Sequence, residues 1–226
     1  MFLSDLQKTV TKTLFDSGIE TSSLDSRIIL KEIFCFNEKQ LILNSQLIVS
    51  AKKINEVDKI LARRISGEPV SKIFGKRDFY ESTFLISEDV LDPRPETELI
   101  IEIANNFILD KGYKNFIDLG TGSGCIILSI LKDNKSLRAL GIDISNKAIN
   151  IAQKNCSNLN LEKQATFLVS NWLSKVSGSY DLIISNPPYI PSKDVDTLSA
   201  NVKNYDPLIS LDGGEDGLKC YRQIAE

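Results

Sequence analysis

Asn186-Pro187-Pro188-Tyr189 carries more chemistry than any other stretch of this 226-residue chain. It follows Tyr180-Asp181-Leu182-Ile183-Ile184-Ser185, an apolar run bounded by turn residues that reads as a buried strand. A carboxamide, two prolines and an aromatic ring therefore stand at the carboxyl end of a central strand, where open α/β sheets place their ligands. The prolines fix φ and present carbonyls with no N–H on the same residues. Asparagine offers one acceptor and two donors in a plane. This set can accept both hydrogens of a planar –NH2 group while Tyr189 packs against its face. Bonds of that kind draw the nitrogen lone pair out of conjugation and aim it. For Asn-Pro alone, a polar turn after a strand is the plainer reading.

A second group precedes it. Phe116-Ile117-Asp118-Leu119-Gly120-Thr121-Gly122-Ser123-Gly124 runs into the apolar Cys125-Ile126-Ile127-Leu128-Ser129-Ile130-Leu131. This is a strand, a glycine-rich turn and a helix, and the glycines let backbone pass close to a ligand. The spacing is neither the dinucleotide pattern nor a P-loop. A tight βα turn without a ligand is the alternative. Leu137-Arg138-Ala139-Leu140-Gly141-Ile142-Asp143 reads as the next strand and ends on an acid. Asp143 falls about 20 residues past the glycine turn, where a carboxylate accepts ribose hydroxyls. A helix N-cap is the other reading of Asp143.

The elements that must position these groups begin with helices. Leu3, Leu6, Val10 and Leu14 recur at helical spacing, with Gly18 as the stop. Leu24, Ile28, Ile29 and Ile33 mark a second helix with Ser22 or Ser23 as N-cap. Ser50 caps another through Ile54, Val57, Ile60, Leu61 and Ile65, ending at Gly67. From about residue 73 the period shifts towards two, through Ile73-Phe74, Phe79-Tyr80 and Phe84-Leu85-Ile86, which predicts a β-hairpin linker. From Thr97 onward strands and helices alternate, with strands near 115–119, 137–142, 165–169 and 180–185, which predicts a parallel sheet. The expected division is a helical domain over 1–72, a hairpin linker over 73–94 and an α/β domain over 95–226.

The hydrophobic fraction of 42% and charged fraction of 25% are ordinary for a globular chain. An 18-residue apolar run and an N-terminal h-region are both missing, which argues against membrane spanning or secretion. Cys35, Cys125, Cys156 and Cys220 lack metal-like pairing and read as reduced thiols of a cytoplasmic protein. With no histidine, Ser-His and Cys-His pairs are excluded and no metal site is expected. Residues 1–75 carry 11 Lys and Arg against 9 Asp and Glu, and residues 76–226 carry 16 against 21. An acidic second half lowers the case for a nucleic-acid partner.

The sequence resembles the release-factor glutamine methyltransferases, the PrmC/HemK family of class I S-adenosylmethionine-dependent enzymes. The resemblance is carried by Gly67-Glu68-Pro69-Val70 with Phe79-Tyr80, Pro93-Arg94-Pro95-Glu96-Thr97-Glu98, Asp118 to Gly124, and Asn186 to Tyr189. Tyr205-Asp206-Pro207-Leu208 through Asp212-Gly213-Gly214-Glu215-Asp216-Gly217-Leu218 adds a fifth stretch. The resemblance implies a Rossmann-like sheet behind a helical substrate-recognition domain. It also implies methyl transfer from S-adenosyl-L-methionine to the side-chain amide nitrogen of the glutamine in the Gly-Gly-Gln motif of peptide-chain release factors.

On that reading the reaction is an in-line displacement at a sulfonium methyl, and the difficulty is the weak amide nucleophile. The site must hold it within about 3–3.5 Å of the methyl. It must also bind the amide hydrogens as they become more acidic, the mirror image of an oxyanion hole. Asn186 Oδ1 and the Pro187 carbonyl are the expected acceptors, with Pro188 and Tyr189 completing the substrate side. Gly120, Thr121, Gly122, Ser123 and Gly124 are expected under the amino-acid portion of the cofactor, Asp143 at the ribose, and Trp172 near the adenine. Family members commonly have an acid where this chain has Asn171. Arg94 and Glu96 carry no assigned role beyond capping or docking. An adenine-N6 DNA or RNA methyltransferase, another protein glutamine as substrate, and a non-catalytic remnant that binds cofactor or partner are the alternatives. The family's chains normally run further, so the sheet is expected to be incomplete at its C-terminal end. The fourth strand then becomes an exposed edge, the last residues form a helix in need of a surface, and the chain is of impaired stability and activity.

Overall fold

Leu3, Leu6, Val10 and Leu14 form the buried stripe of α1 (Leu3–Asp16), which stops at Gly18, where φ is +78°. The computed structural model describes residues 1–226 and divides them into two units, Met1–Phe74 and Gly75–Glu226. In the first unit, α2 (Ser22–Phe34) starts from Thr21, which makes no side-chain cap bond. Neither Ser22 nor Ser23 is the cap, because both already lie inside the helix. Leu24 is 48% exposed, and its expected core position is taken by Asp25, held by Arg64 Nε at 2.7 Å. An unanticipated helix, α3 (Glu38–Leu43), is set by a capping box: Asn37 Oδ1 accepts from Gln40 N at 2.8 Å, and Gln40 Oε1 accepts from Asn37 N at 2.9 Å. Ser50 caps α4 (Ala51–Ile65), its Oγ accepting from Lys53 N at 3.3 Å. Ile73 and Phe74, expected in the hairpin, belong instead to the one-turn α5 (Val70–Phe74). Pro69 precedes it with φ fixed for helix entry, and its carbonyl accepts from Ile73 N at 3.0 Å. The core of this unit joins the α1 stripe to Ile29, Leu30, Leu41, Val57 and Leu61.

The second unit opens with the hairpin β1 (Lys76–Phe79) and β2 (Ser82–Leu85). Phe79 and Phe84 pack edge to face, with centroids 6.1 Å apart, inside the same cluster as Ile101, Phe116, Leu128 and Ile184. The hairpin is thus part of the α/β core; its two phenylalanines need that surface to leave water. A 3₁₀ turn at Pro95–Thr97 leads into α6 (Glu98–Lys111). Then follow β3 (Asn115–Leu119), α7 (Cys125–Asp133), β4 (Arg138–Asp143), α8 (Asn146–Asn158), β5 (Ala165–Val169) and β6 (Leu182–Ser185). The four strands form a parallel sheet of order β5-β4-β3-β6. Alternate residues of β3 serve opposite faces: Phe116 joins the hairpin-side cluster, and Ile117 and Leu119 pack with Ile142, Leu168 and Trp172.

The chain proceeds from β3 out to β5 and returns to β6 on the other side of β3. That reversal opens the ligand crevice at the carboxyl ends of β3, β4 and β6. β6 is the sheet edge, and Ile183 is 50% exposed on it. Two short helices, α9 (Ser192–Val195) and α10 (Ala200–Lys203), follow, and the last element is α11 (Lys219–Ala225). Ile224 packs on the sheet and Cys220 is buried, whereas Leu218 and Tyr221 face outward. All four cysteines are free. No helix is long and apolar enough to cross a membrane.

Candidate active site

The glycine turn leaves β3 with φ of +74°, +55° and +80° at Gly120, Gly122 and Gly124, a left-handed path that side chains disfavour. Its backbone is tied to β4, since the N–H groups of Gly120 and Thr121 both donate to Ile142 O, at 2.8 and 2.7 Å. Gly120 and Gly122 line a cavity, while Thr121 and Ser123 turn inward and are buried. Thr121 Oγ1 donates to Asp118 Oδ2 at 2.7 Å, and Ser123 O accepts from Asn155 Nδ2 at 2.8 Å. Gly124 begins α7, where an added Cβ would meet Leu128 and Ala152.

Asp118 is fully buried, and its second oxygen, Oδ1, has no hydrogen-bond partner. Burial pushes its carboxyl up to about 7; the Thr121 hydroxyl bond opposes this and the charge of Asp143 adds to it. Asp143 closes β4. Its Oδ2 accepts from Gly122 N and its Oδ1 from Ser145 N, both at 2.9 Å. Burial raises its pKa against those backbone bonds. The cap of α8 is Ser145, whose Oγ accepts from Ala148 N at 3.2 Å, so Asp143 is not the helix cap. Each carboxylate oxygen of Asp143 keeps a second lone pair for a ligand hydroxyl.

Two cavities meet at Asn186. The first, of about 680 Å³, is lined by Gly120, Gly122, Asp143, Asn171, Trp172, Asn186 and Pro188, with Gln223 of α11 on its wall. The second, of about 390 Å³, is lined by Thr97, Ile100, Asn186, Pro187, Tyr189, Val202 and Leu211, with Arg94 and Glu96 at its rim. Both volumes lie in the range of ordinary ligand sites. Pro188, grouped with the substrate side on sequence, lies on the first cavity, and its neighbours Pro187 and Tyr189 lie on the second. Tyr189 is 59% exposed there. Trp172 has φ of +47°, and its Nε1 donates to Gln223 Oε1 at 3.0 Å.

Several residues outside the predicted site hold it in shape. Asn155 of α8, buried, bonds both backbone groups of Leu85, at 2.7 and 2.9 Å, besides Ser123 O. The fifth sequence stretch lies along the asparagine-proline segment. Ile190 N donates to Leu211 O at 3.1 Å, and Gly213 N donates to Ile190 O at 2.8 Å. A Cβ on Gly217 would run into the Tyr189 carbonyl, so only glycine admits this approach. Within Pro-Arg-Pro-Glu-Thr-Glu, Glu98 Oε1 accepts from Tyr80 N at 3.1 Å, and Arg94 Nη2 donates to Asp206 Oδ2 at 2.6 Å. Asp118, Asn155 and Asp206 were not singled out as site residues on sequence. Only Asp118 left a local signal there, as an acid inside an otherwise apolar strand.

A parallel sheet of this order, with a glycine turn after its inner strand and an acid at the end of the next, defines a class I S-adenosyl-L-methionine-dependent methyltransferase. Residues 82–202 match the family model described as "Methyltransferase small domain", and residues 5–75 match that of the PrmC N-terminal domain. The chain belongs to the release factor glutamine methyltransferase family. It is 40% identical to the Rhodospirillum rubrum release factor glutamine methyltransferase, over 92% of this chain and 64% of that protein. It is 37% identical to the Caulobacter vibrioides protein of the same name, over 94% of this chain and 74% of that one. The chain thus spans just under two thirds of the first relative's length and about three quarters of the second's. Among solved structures, the hMettl16 catalytic domain in complex with the MAT2A 3′UTR hairpin 6 aligns with a TM-score of 0.52 at 19% identity. That alignment covers 74% of this chain and 61% of that one, a likeness of fold.

The first cavity fits the cofactor. Among its lining residues, Asp143 would offer acceptors to the ribose hydroxyls, and Trp172 and Asn171 would offer an aromatic ring and an acceptor to an adenine.

Proposed function

We propose that this chain transfers a methyl group from S-adenosyl-L-methionine to the side-chain amide nitrogen of the glutamine in the Gly-Gly-Gln motif of peptide-chain release factors. The observation that carries the reading is Asn186, the carboxamide among the residues that line both cavities, beside Leu91 and Ser210. Bound in the first cavity, the cofactor supplies an electrophilic sulfonium methyl with a neutral thioether as leaving group. The chain's own residues deal with the nucleophile. Asn186 Oδ1 and the Pro187 carbonyl accept the hydrogens of the glutamine –NH2, which fixes its plane and stabilises their growing acidity. Tyr189 covers the entering amide. No side-chain base is needed before attack, which suits a chain without histidine; the proton that the methylated nitrogen sheds afterwards passes to water.

The names of the relatives support the release factor as substrate. The helical unit, expected over 1–72, is the natural recognition module, since it matches a domain model specific to this family. A cytoplasmic site of action follows from that substrate, because release factors work in the cytoplasm. The acidic second unit favours a protein substrate over nucleic acid.

The test is single-turnover transfer of labelled methyl to purified release factor, to the same factor with the motif glutamine replaced by alanine, and to DNA and RNA oligomers. Label on the intact factor alone is expected. Asn186→Ala should slow that transfer by about 10²–10³, the cost of one preorganised hydrogen-bond partner in an oxyanion hole. Label on oligomers, or undiminished transfer by Asn186→Ala, overturns the reading.

A further inference from the structure

A carboxamide has two unlike ends, and Asn186 serves the proposed reaction only with its oxygen towards the entering –NH2. Its own neighbours in sequence do not hold it that way. Ser185 Oγ is engaged elsewhere, donating to Leu119 O at 2.8 Å. The contact that does reach Asn186 comes from 89 residues away: its Nδ2 donates to Thr97 Oγ1 at 3.4 Å. Thr97 is 8% exposed and stands where the 3₁₀ turn passes into α6. Its own N–H donates to Arg94 O at 3.0 Å, so the hydroxyl sits on a fixed piece of backbone. It also lines the second cavity beside Asn186.

We infer that Thr97 is a positioning residue that anchors the nitrogen end of the Asn186 carboxamide and so leaves Oδ1 free to accept. The inference rests on the reading of Asn186 as acceptor for the glutamine –NH2. Without the anchor the carboxamide can rotate, and half of its orientations present donors to a donor. At 3.4 Å the bond is longer than an ordinary N–H···O bond and correspondingly weak. Thr97→Val keeps the shape and removes the hydroxyl; Thr97→Ser keeps the hydroxyl and removes a methyl.

The experiment compares wild type, Thr97→Val, Thr97→Ala and Thr97→Ser in single-turnover methylation of release factor, in cofactor binding, and in the side-chain amide NMR resonances of Asn186. Those resonances are identified by their loss in Asn186→Asp. Thr97→Val and Thr97→Ala should lower the rate constant by about 10- to 100-fold, by analogy with losing the partner that orients a metal ligand. Cofactor affinity should stay within about twofold, and Thr97→Ser should recover most of the rate. The Asn186 amide resonances should shift in the valine and alanine variants and return in the serine variant. Rates and resonances unchanged in Thr97→Val overturn the inference. So does equal loss of cofactor affinity and rate without rescue by serine, which marks a general structural defect. If wild type transfers no methyl to release factor, the proposed function fails and the resonances alone decide: a shift that serine reverses upholds the anchor, and no shift refutes it.

Discussion

Arg94 and Asp206 are 112 residues apart in sequence and form an ion pair at 2.6 Å. The Asp206 side chain is 2% exposed, and its other oxygen accepts from Asp92 N at 3.1 Å. One buried carboxylate therefore fastens the segment before α6 to the stretch Pro207–Ser210, whose residues line the first cavity. Removing Arg94 leaves a buried charge short of a partner. Arg94→Ala is expected to cost about 2–3 kcal/mol of stability, below the figure for a fully buried pair because Arg94 is itself partly exposed. Denaturant unfolding of Arg94→Ala, Asp206→Asn and the double variant checks it. The two effects should be markedly less than additive.

Asp143 already accepts two backbone N–H bonds, so its geometry is fixed before any ligand arrives. Asp143→Ala should weaken cofactor binding by about 2–3 kcal/mol, the cost of charged hydrogen bonds left unmade. Calorimetry with S-adenosylmethionine measures this. An unchanged dissociation constant would remove Asp143 from the site.

Asn155 meets three backbone groups, two partly buried ones in the hairpin and a buried one in the glycine turn. Asn155→Ala should destabilise the protein by about 2–4 kcal/mol, since several polar groups lose partners at once. Asn155→Asp should not rescue it, because two of the three bonds need a donor at that position. Thermal unfolding of both variants is the measurement.

Asp118 gives a pH signature. Burial first, and the Asp143 charge after it, raise its carboxyl from 3.8 to about 7 in the folded chain. Between those values the native state holds a proton that the unfolded state has lost. This contribution to stability is therefore fully present below about pH 4, falls as pH rises, and is gone above about pH 7. Asp118→Asn should flatten the stability profile between about pH 4 and 7, where the native state keeps a proton that the unfolded state has lost. Equal slopes for wild type and variant in denaturant titrations across that range would contradict the assignment.

Much of this was legible in the sequence because it is local. β3 and β5 fall where the apolar runs ended, and Gly120 to Gly124 turn as their spacing requires. The stripe from Leu3 to Leu14 is the buried face of α1. The capping box at Asn37 and Gln40 was also readable, and it marks the helix that the periodicity missed because six residues are too few to show a period. Ile73-Phe74 went the other way: two apolar neighbours fit a strand or one helical turn equally well, and Pro69 decided it.

Partnerships are another matter. The residue types of the asparagine-proline segment fix what chemistry it can do, and the strand before it fixes where that chemistry sits on the sheet. Nothing in a single chain says that Thr97 will reach Asn186, that Asp206 will receive Arg94, or that Phe79 and Phe84 will make the hairpin part of the α/β core. A strand or a helix stripe is set by neighbours a few positions apart. Such contacts join residues tens of positions apart, and they form only once folding has closed the intervening loops and the buried surface repays that entropy.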